Sequence, residues 1–183
     1  AENGLPPDNY QQQPVEQIAH RTSPTNIGLS LLSALTAFEF GYLTINQLIE
    51  RTVNTIGTMK KMERYQGHFY NWYDTETLAP LHPIYISTVD SGNLAGHLLT
   101  LGAGLRELAD EKILCPEIFA GLGDTVGILQ SLVGESPALS QLETEFRQAP
   151  TTLRAALALW LRACVGSHPP PNEHPNSNQN LER

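Results

Sequence analysis

The run TSPTNIGLSLLSALTAF, residues 22–38, decides the fold class. Ser23 stands directly before Pro24, an order that marks a helix start. The serine hydroxyl accepts a hydrogen bond from an orphan backbone N–H, and the proline ring pre-sets the first helical φ. Ile27, Leu31, Leu32, Leu35 and Phe38 then recur at the spacing of one helix face, not at the alternation of a strand. Gly41 is the expected stop.

The same grammar extends outward. Thr44 reads as the cap of a second helix running to about Arg64, with Leu48, Ile49, Val53, Ile56 and Met59 on its apolar stripe. Periodicity returns after Asp90-Ser91 with Leu94, Leu98, Leu99, Leu101 and Leu105, and again after Pro116 with Ile118, Phe119, Leu122, Val126, Leu129 and Leu132. Two further helices fit about 137–147 and 151–165. Six helices with mostly short connections favour antiparallel pairs, so the expected class is all-α, an α/α architecture, which the resemblance given below narrows to a partial α/α-toroid-like domain. Residues 1–21, with Pro6, Pro7, Pro14 and Gln11-Gln12-Gln13, read as an extended lead-in to a helical domain over 22–165. Residues 166–183 have little to bury and are expected to be disordered. The aromatic loop 65–89 holds six of the chain's thirteen aromatic residues, which argues for order despite its length.

Composition excludes several classes of function. The net charge of −8, with eleven scattered Lys and Arg, is unsuited to a phosphate backbone, so no nucleic-acid partner is expected. Cys115 and Cys164 stand far apart with no CxxC pattern, so no metal site is expected. P-loop, HExxH and Ser-His-Asp arrangements are absent, and with them any expected cofactor. The sequence has no apolar run long enough to span a bilayer and no signal-peptide pattern, so the segment is expected to be cytoplasmic, without membrane insertion of its own.

Connectivity adds a geometric inference. If successive helices alternate in direction, the first and third point the same way. Thr22–Asn26, the aromatic loop and Asp90-Ser91-Gly92-Asn93 then converge on one rim. That rim suits a sugar, whose C–H faces stack on rings and whose hydroxyls need fixed polar groups. Tyr70, Trp72 and Tyr73 are the candidate faces; Asn26, His68, Asn71, Asp74, Asp90 and Asn93 are the candidate hydrogen-bonding groups. Plainer roles stand beside these. Ser23 and Asp90 read as helix N-caps, Phe69 and one or two of the tyrosines as core, and His68 as a structural hydrogen-bonder. His20-Arg21 reads equally as an anchor for the lead-in and as a ligand contact. Asp74 and Asp90 are the available carboxylate pair for glycoside hydrolysis, although no spacing makes them face each other.

Four blocks carry a resemblance: Leu5–Tyr10 (LPPDNY), His20–Gly28 (HRTSPTNIG), Gly67–Thr75 (GHFYNWYDT) and Ser87–His97 (STVDSGNLAGH). In this order, over roughly residues 5–106, they resemble the bacterial cyclic β-1,2-glucan synthases. The resemblance implies a very large inner-membrane parent, with this segment on the cytoplasmic face at or just before a glycoamylase-like α/α region that closes the glucan ring by transglycosylation. It also implies a β-glucan oligosaccharide and the remaining synthase domains as partners, with catalytic residues outside this chain. A complete toroid needs more chain than 183 residues, so a partial domain is expected. Residues 110–183 rest on periodicity alone.

Overall fold

A computed structural model describes residues 2–112, 115–134 and 136–165. The fold is mostly helical, as the periodicity requires. The six α-helices among these residues are α1 (Pro24–Glu39), α2 (Ile45–Met59), α3 (Thr88–Leu108), α4 (Pro116–Val133), α5 (Pro137–Arg147) and α6 (Leu153–Val165). Strands are confined to two-residue antiparallel pairs. β1 (Tyr10–Gln11) pairs with β2 (Gln17–Ile18), β3 (Arg21–Thr22) with β6 (Tyr73–Asp74), and β4 (Arg64–Tyr65) with β5 (His68–Phe69). The tail expected to be disordered, 166–183, lies outside the described residues. No helix among the described residues is long and apolar enough to cross a membrane.

The chain separates into two compact units, Ala1–Leu122 and Gly123–Arg183. In the first, the core gathers Leu5, Ile27, Leu31, Leu35, Leu48, Met59, Phe69, Tyr73, Leu94 and Leu101. In the second, Val126, Phe146, Ala156 and Leu159 are buried, and Arg162 ties α6 to α5 through Glu145 at 3.0 Å.

Helix ends follow local chemistry. Ser23 caps α1 by accepting from the Asn26 N–H at 3.2 Å. Thr44 and Gln47 form a reciprocal capping box at the start of α2. α3 departs from the reading above: its cap is Ser87, which accepts from the Asp90 N–H at 3.1 Å, so Asp90 lies inside the first turn. A carboxylate there complements the helix dipole without capping the chain. α2 ends at Met59, short of Arg64, because the chain turns into the β4–β5 hairpin, whose tip places Gln66 and Gly67 at φ 47° and 86°.

α1 and α3 run side by side in the same direction. Thr25 meets Asp90 and Asn93; one turn on, Gly28 faces His97; further along, Gly104 faces Leu35. The offset between partners stays nearly constant, which only parallel axes allow. Both N-termini therefore open at one end, as the connectivity argument required.

The lead-in is woven into this unit. Leu5 is fully buried in the core, worth about 2 kcal/mol by apolar transfer. The Thr58 and Thr55 hydroxyls of α2 donate to the Asn3 and Gly4 carbonyls at 2.6 and 2.8 Å.

Candidate functional site

Residues 71–75 form the spine of the aromatic loop. On one side Tyr73 and Asp74 pair with Thr22 and Arg21. On the other, Tyr73 bridges to Pro80, the Leu81 N–H donates to the Trp72 carbonyl at 2.9 Å, and the Asn71 N–H donates to the Tyr85 carbonyl at 2.9 Å. Extended backbone sends successive side chains to opposite faces. Asn71, Tyr73 and Thr75 accordingly point inward, at 2, 0 and 1% exposure, while Trp72 and Asp74 point outward.

That alternation divides the candidate residues. Tyr73 is a core residue: its hydroxyl donates to the Glu63 carbonyl at 2.7 Å and accepts from the Tyr70 N–H at 2.8 Å. Burial pushes its pKa up, which keeps the phenol neutral and able to donate. Asn71 clamps the loop, its Oδ1 accepting from the Tyr85 N–H at 3.3 Å. Neither offers a surface to a ligand, which corrects the expectation for both. Tyr70 is half-buried against Tyr73. His68 lies exposed on the β4–β5 hairpin opposite Tyr65, without a tie to the other candidates among the described residues.

Asp74 is also committed locally. Its Oδ1 accepts from the Thr77 N–H at 2.7 Å, the Thr77 hydroxyl at 3.0 Å and the Glu76 N–H at 3.0 Å, closing a turn. The Thr77 N–H, first among these, lowers its pKa. A general acid for glycoside cleavage needs the opposite shift, so Asp74 does not fit the acid role.

The outward residues do converge. The Arg21 guanidinium lies 4.9 Å from the Trp72 ring centroid, a cation–π stack on one face of the indole. Asp8 holds Arg21 in place, its Oδ2 accepting from Nε at 3.0 Å and Nη2 at 2.8 Å. The Asp8 Oδ1 accepts from Asn26 Nδ2 at 3.2 Å. Beside Asn26, the Thr25 hydroxyl donates to Asp90 at 2.6 Å and accepts from Asn93 Nδ2 at 3.2 Å. Two bonded groups, Trp72–Arg21–Asp8–Asn26 and Asp90–Thr25–Asn93, thus lie next to each other at the neighbouring residues Thr25 and Asn26, across the two helix starts. The sequence reading missed Asp8. Its block LPPDNY was visible, but its partners lie 13 and 18 residues away.

A second tie fastens the lead-in to the same loop. Glu2 accepts from the Thr75 hydroxyl and pairs with His20 Nδ1 at 2.8 Å. Glu2, His20 and Glu76 are the only described residues whose ligand-type atoms gather three together within 4.8 Å. The Thr75 hydroxyl and then His20 lower the Glu2 pKa, while the hydrogen bond from Glu2, against some desolvation, raises that of His20; Glu76 and Asp74 add to the rise. The sign follows. The raised imidazole stabilises the fold below its ordinary 6.5 and loses this as pH climbs through the folded value. The lowered carboxylate stabilises it above its ordinary 4.5 and loses this as pH falls. Glu2→Gln is therefore expected to lower the Tm most between these two values, and in thermal melts across pH the gap should narrow in mild alkali, where the His20 contribution is lost and the Thr75 bond remains.

No family model matches the chain. Over 137 residues, 74% of this chain, it is 44% identical to the cyclic beta-(1,2)-glucan synthase NdvB of Rhizobium meliloti (strain 1021). The match spans 5% of that relative's length. Identity at this level over 74% of the chain makes this a segment related to cyclic β-(1,2)-glucan synthase.

Proposed function

We infer that the rim binds a β-glucan chain and holds it for glycosyl transfer carried out by residues of a larger synthase. The observation that carries this reading is the uninterrupted line Trp72–Arg21–Asp8–Asn26, adjoining Thr25, Asp90 and Asn93. Arg21 covers one indole face of the partly exposed Trp72, and on this reading the other receives the C–H face of a glucosyl ring. Asn26, Asp90 and Asn93 supply donors and acceptors fixed by their neighbours, so little ordering entropy opposes hydroxyl recognition. The helical unit would be part of an α/α arrangement whose loops receive the glucan at one end. Asp74 is tied up in its turn, so a hydrolase acting through Asp74 and Asp90 gains no support.

Trp72 is also the reporter. In a Trp160→Phe background, β-1,2-gluco-oligosaccharides should change the Trp72 fluorescence saturably. Trp72→Ala, read by ligand-observed NMR, should weaken binding about tenfold, the worth of one ring stack. Silence at tens of millimolar sugar would sink the reading.

A docking role inside a synthase is favoured by a different observation. From Ser91 to Leu105 α3 has no charged residue, yet Val89 and Leu99 are 69 and 77% exposed. A helix apolar on both faces is usually covered on both. Loss of folding in Trp72→Ala would favour docking, whereas a folded variant deficient in sugar binding favours the rim.

A further inference from the structure

A separate groove of about 490 Å³ lies between α1 and α2, closed at one side by Gly4 of the lead-in. α1 contributes Ser30 and Ser33, and α2 contributes Arg51 and Asn54. None of these four side chains has a hydrogen-bond or ion-pair partner among the described residues. Their neighbours behave differently. Thr55, in the same groove, spends its hydroxyl on the Gly4 carbonyl at 2.8 Å, and Thr100 of α3 turns its hydroxyl back onto the Gly96 carbonyl at 3.0 Å. Arg21 and Arg64, the arginines held against aromatic rings in this unit, are by contrast bound to Asp8 and to the Met59 carbonyl. Arg51 therefore presents an unspent guanidinium beside two hydroxyls and a carboxamide.

We propose that this groove is a binding site for a small hydroxylated oxyanion, a sugar phosphate or sugar carboxylate, with Arg51 gripping the anion while Ser30, Ser33 and Asn54 bond its hydroxyls. The guanidinium fork matches two oxygens of a phosphate or carboxylate at once, which a neutral sugar does not offer. The volume suits a monosaccharide derivative. The chain's net charge of −8 opposes a polyanion but leaves room for one anionic group met at close range by an arginine. The site is independent of the rim and stands or falls apart from it.

The test follows the Arg51 Nε–Hε resonance while glucose 6-phosphate, gluconate and glucose are each titrated to about 20 mM, a range that captures millimolar affinity. Saturable shifts with either anion and none with glucose are expected, and the tighter anion identifies the natural chemistry. Arg51→Gln should weaken anion binding at least tenfold, read on neighbouring backbone amides, with an unchanged Tm, since Arg51 holds no structural partner. Equal response to glucose, no response to either anion, or undiminished binding in Arg51→Gln would overturn the assignment.

Discussion

Replacing Tyr73 with alanine is expected to destabilise the first unit by about 4 kcal/mol, near the upper range for a buried aromatic. The ring is fully buried, with Phe69 edge-on at 6.3 Å and Tyr70 tilted at 6.3 Å. Its hydroxyl also bridges the turn after α2 to the loop spine, through Glu63 and Tyr70. Tyr73→Phe separates the two contributions. It keeps the packing but strands the Tyr70 N–H and the Glu63 carbonyl, a loss of about 2 kcal/mol. Urea denaturation of the three proteins should rank them wild type, Tyr73→Phe, Tyr73→Ala. If phenylalanine matched wild type, the hydrogen-bonded bridge would have no energetic role.

Gly41→Ala is expected to cost about 3 kcal/mol or more, a large effect for one methyl group, because two penalties coincide. Gly41 sits at φ 74°, a left-handed conformation that alanine resists. Its missing side chain also faces the backbone of α4. A Cβ there would stand 2.2 Å from the Glu117 carbonyl oxygen and 2.8 Å from its carbon. A flexible side chain could swing away from such a clash, but the first turn of a helix cannot. Gly121 presses back on Gly41 from the next turn, so the contact is glycine to glycine. A thermal melt of Gly41→Ala should fall well below wild type, while Gly67→Ala, strained at φ 86° but in open space, should lose only about 1 kcal/mol.

The helices were legible because their signals are local. Ser23-Pro24 and Thr44 with Gln47 announce helix starts within four residues, and the apolar period supplies the rest. Ser87 was equally legible, since Ser87 through Asp90 has the spacing of a cap, but the acidic Asp90 drew the start three residues too late. The rim's location was readable from connectivity, and its membership was not. Within GHFYNWYDT, whether Trp72 or Tyr73 faces solvent depends on strand register, which Arg21 and Thr22 set by pairing with Asp74 and Tyr73 from 53 and 51 positions away. Five neighbouring candidates therefore collapsed to alternate ones. Asp8 was hidden for a related reason: nothing near it in sequence names Arg21 and Asn26 as its partners.

The lead-in's anchors impose an order on biogenesis. Asn3 donates to the carbonyls of Thr75 and Glu76, more than 70 positions downstream, and Leu5 fills a socket built largely by helices made after it. During vectorial synthesis the lead-in thus emerges well before the residues that seat it. It remains unprotected while α1, α2 and the loop are translated, then fastens like a strap across the finished unit.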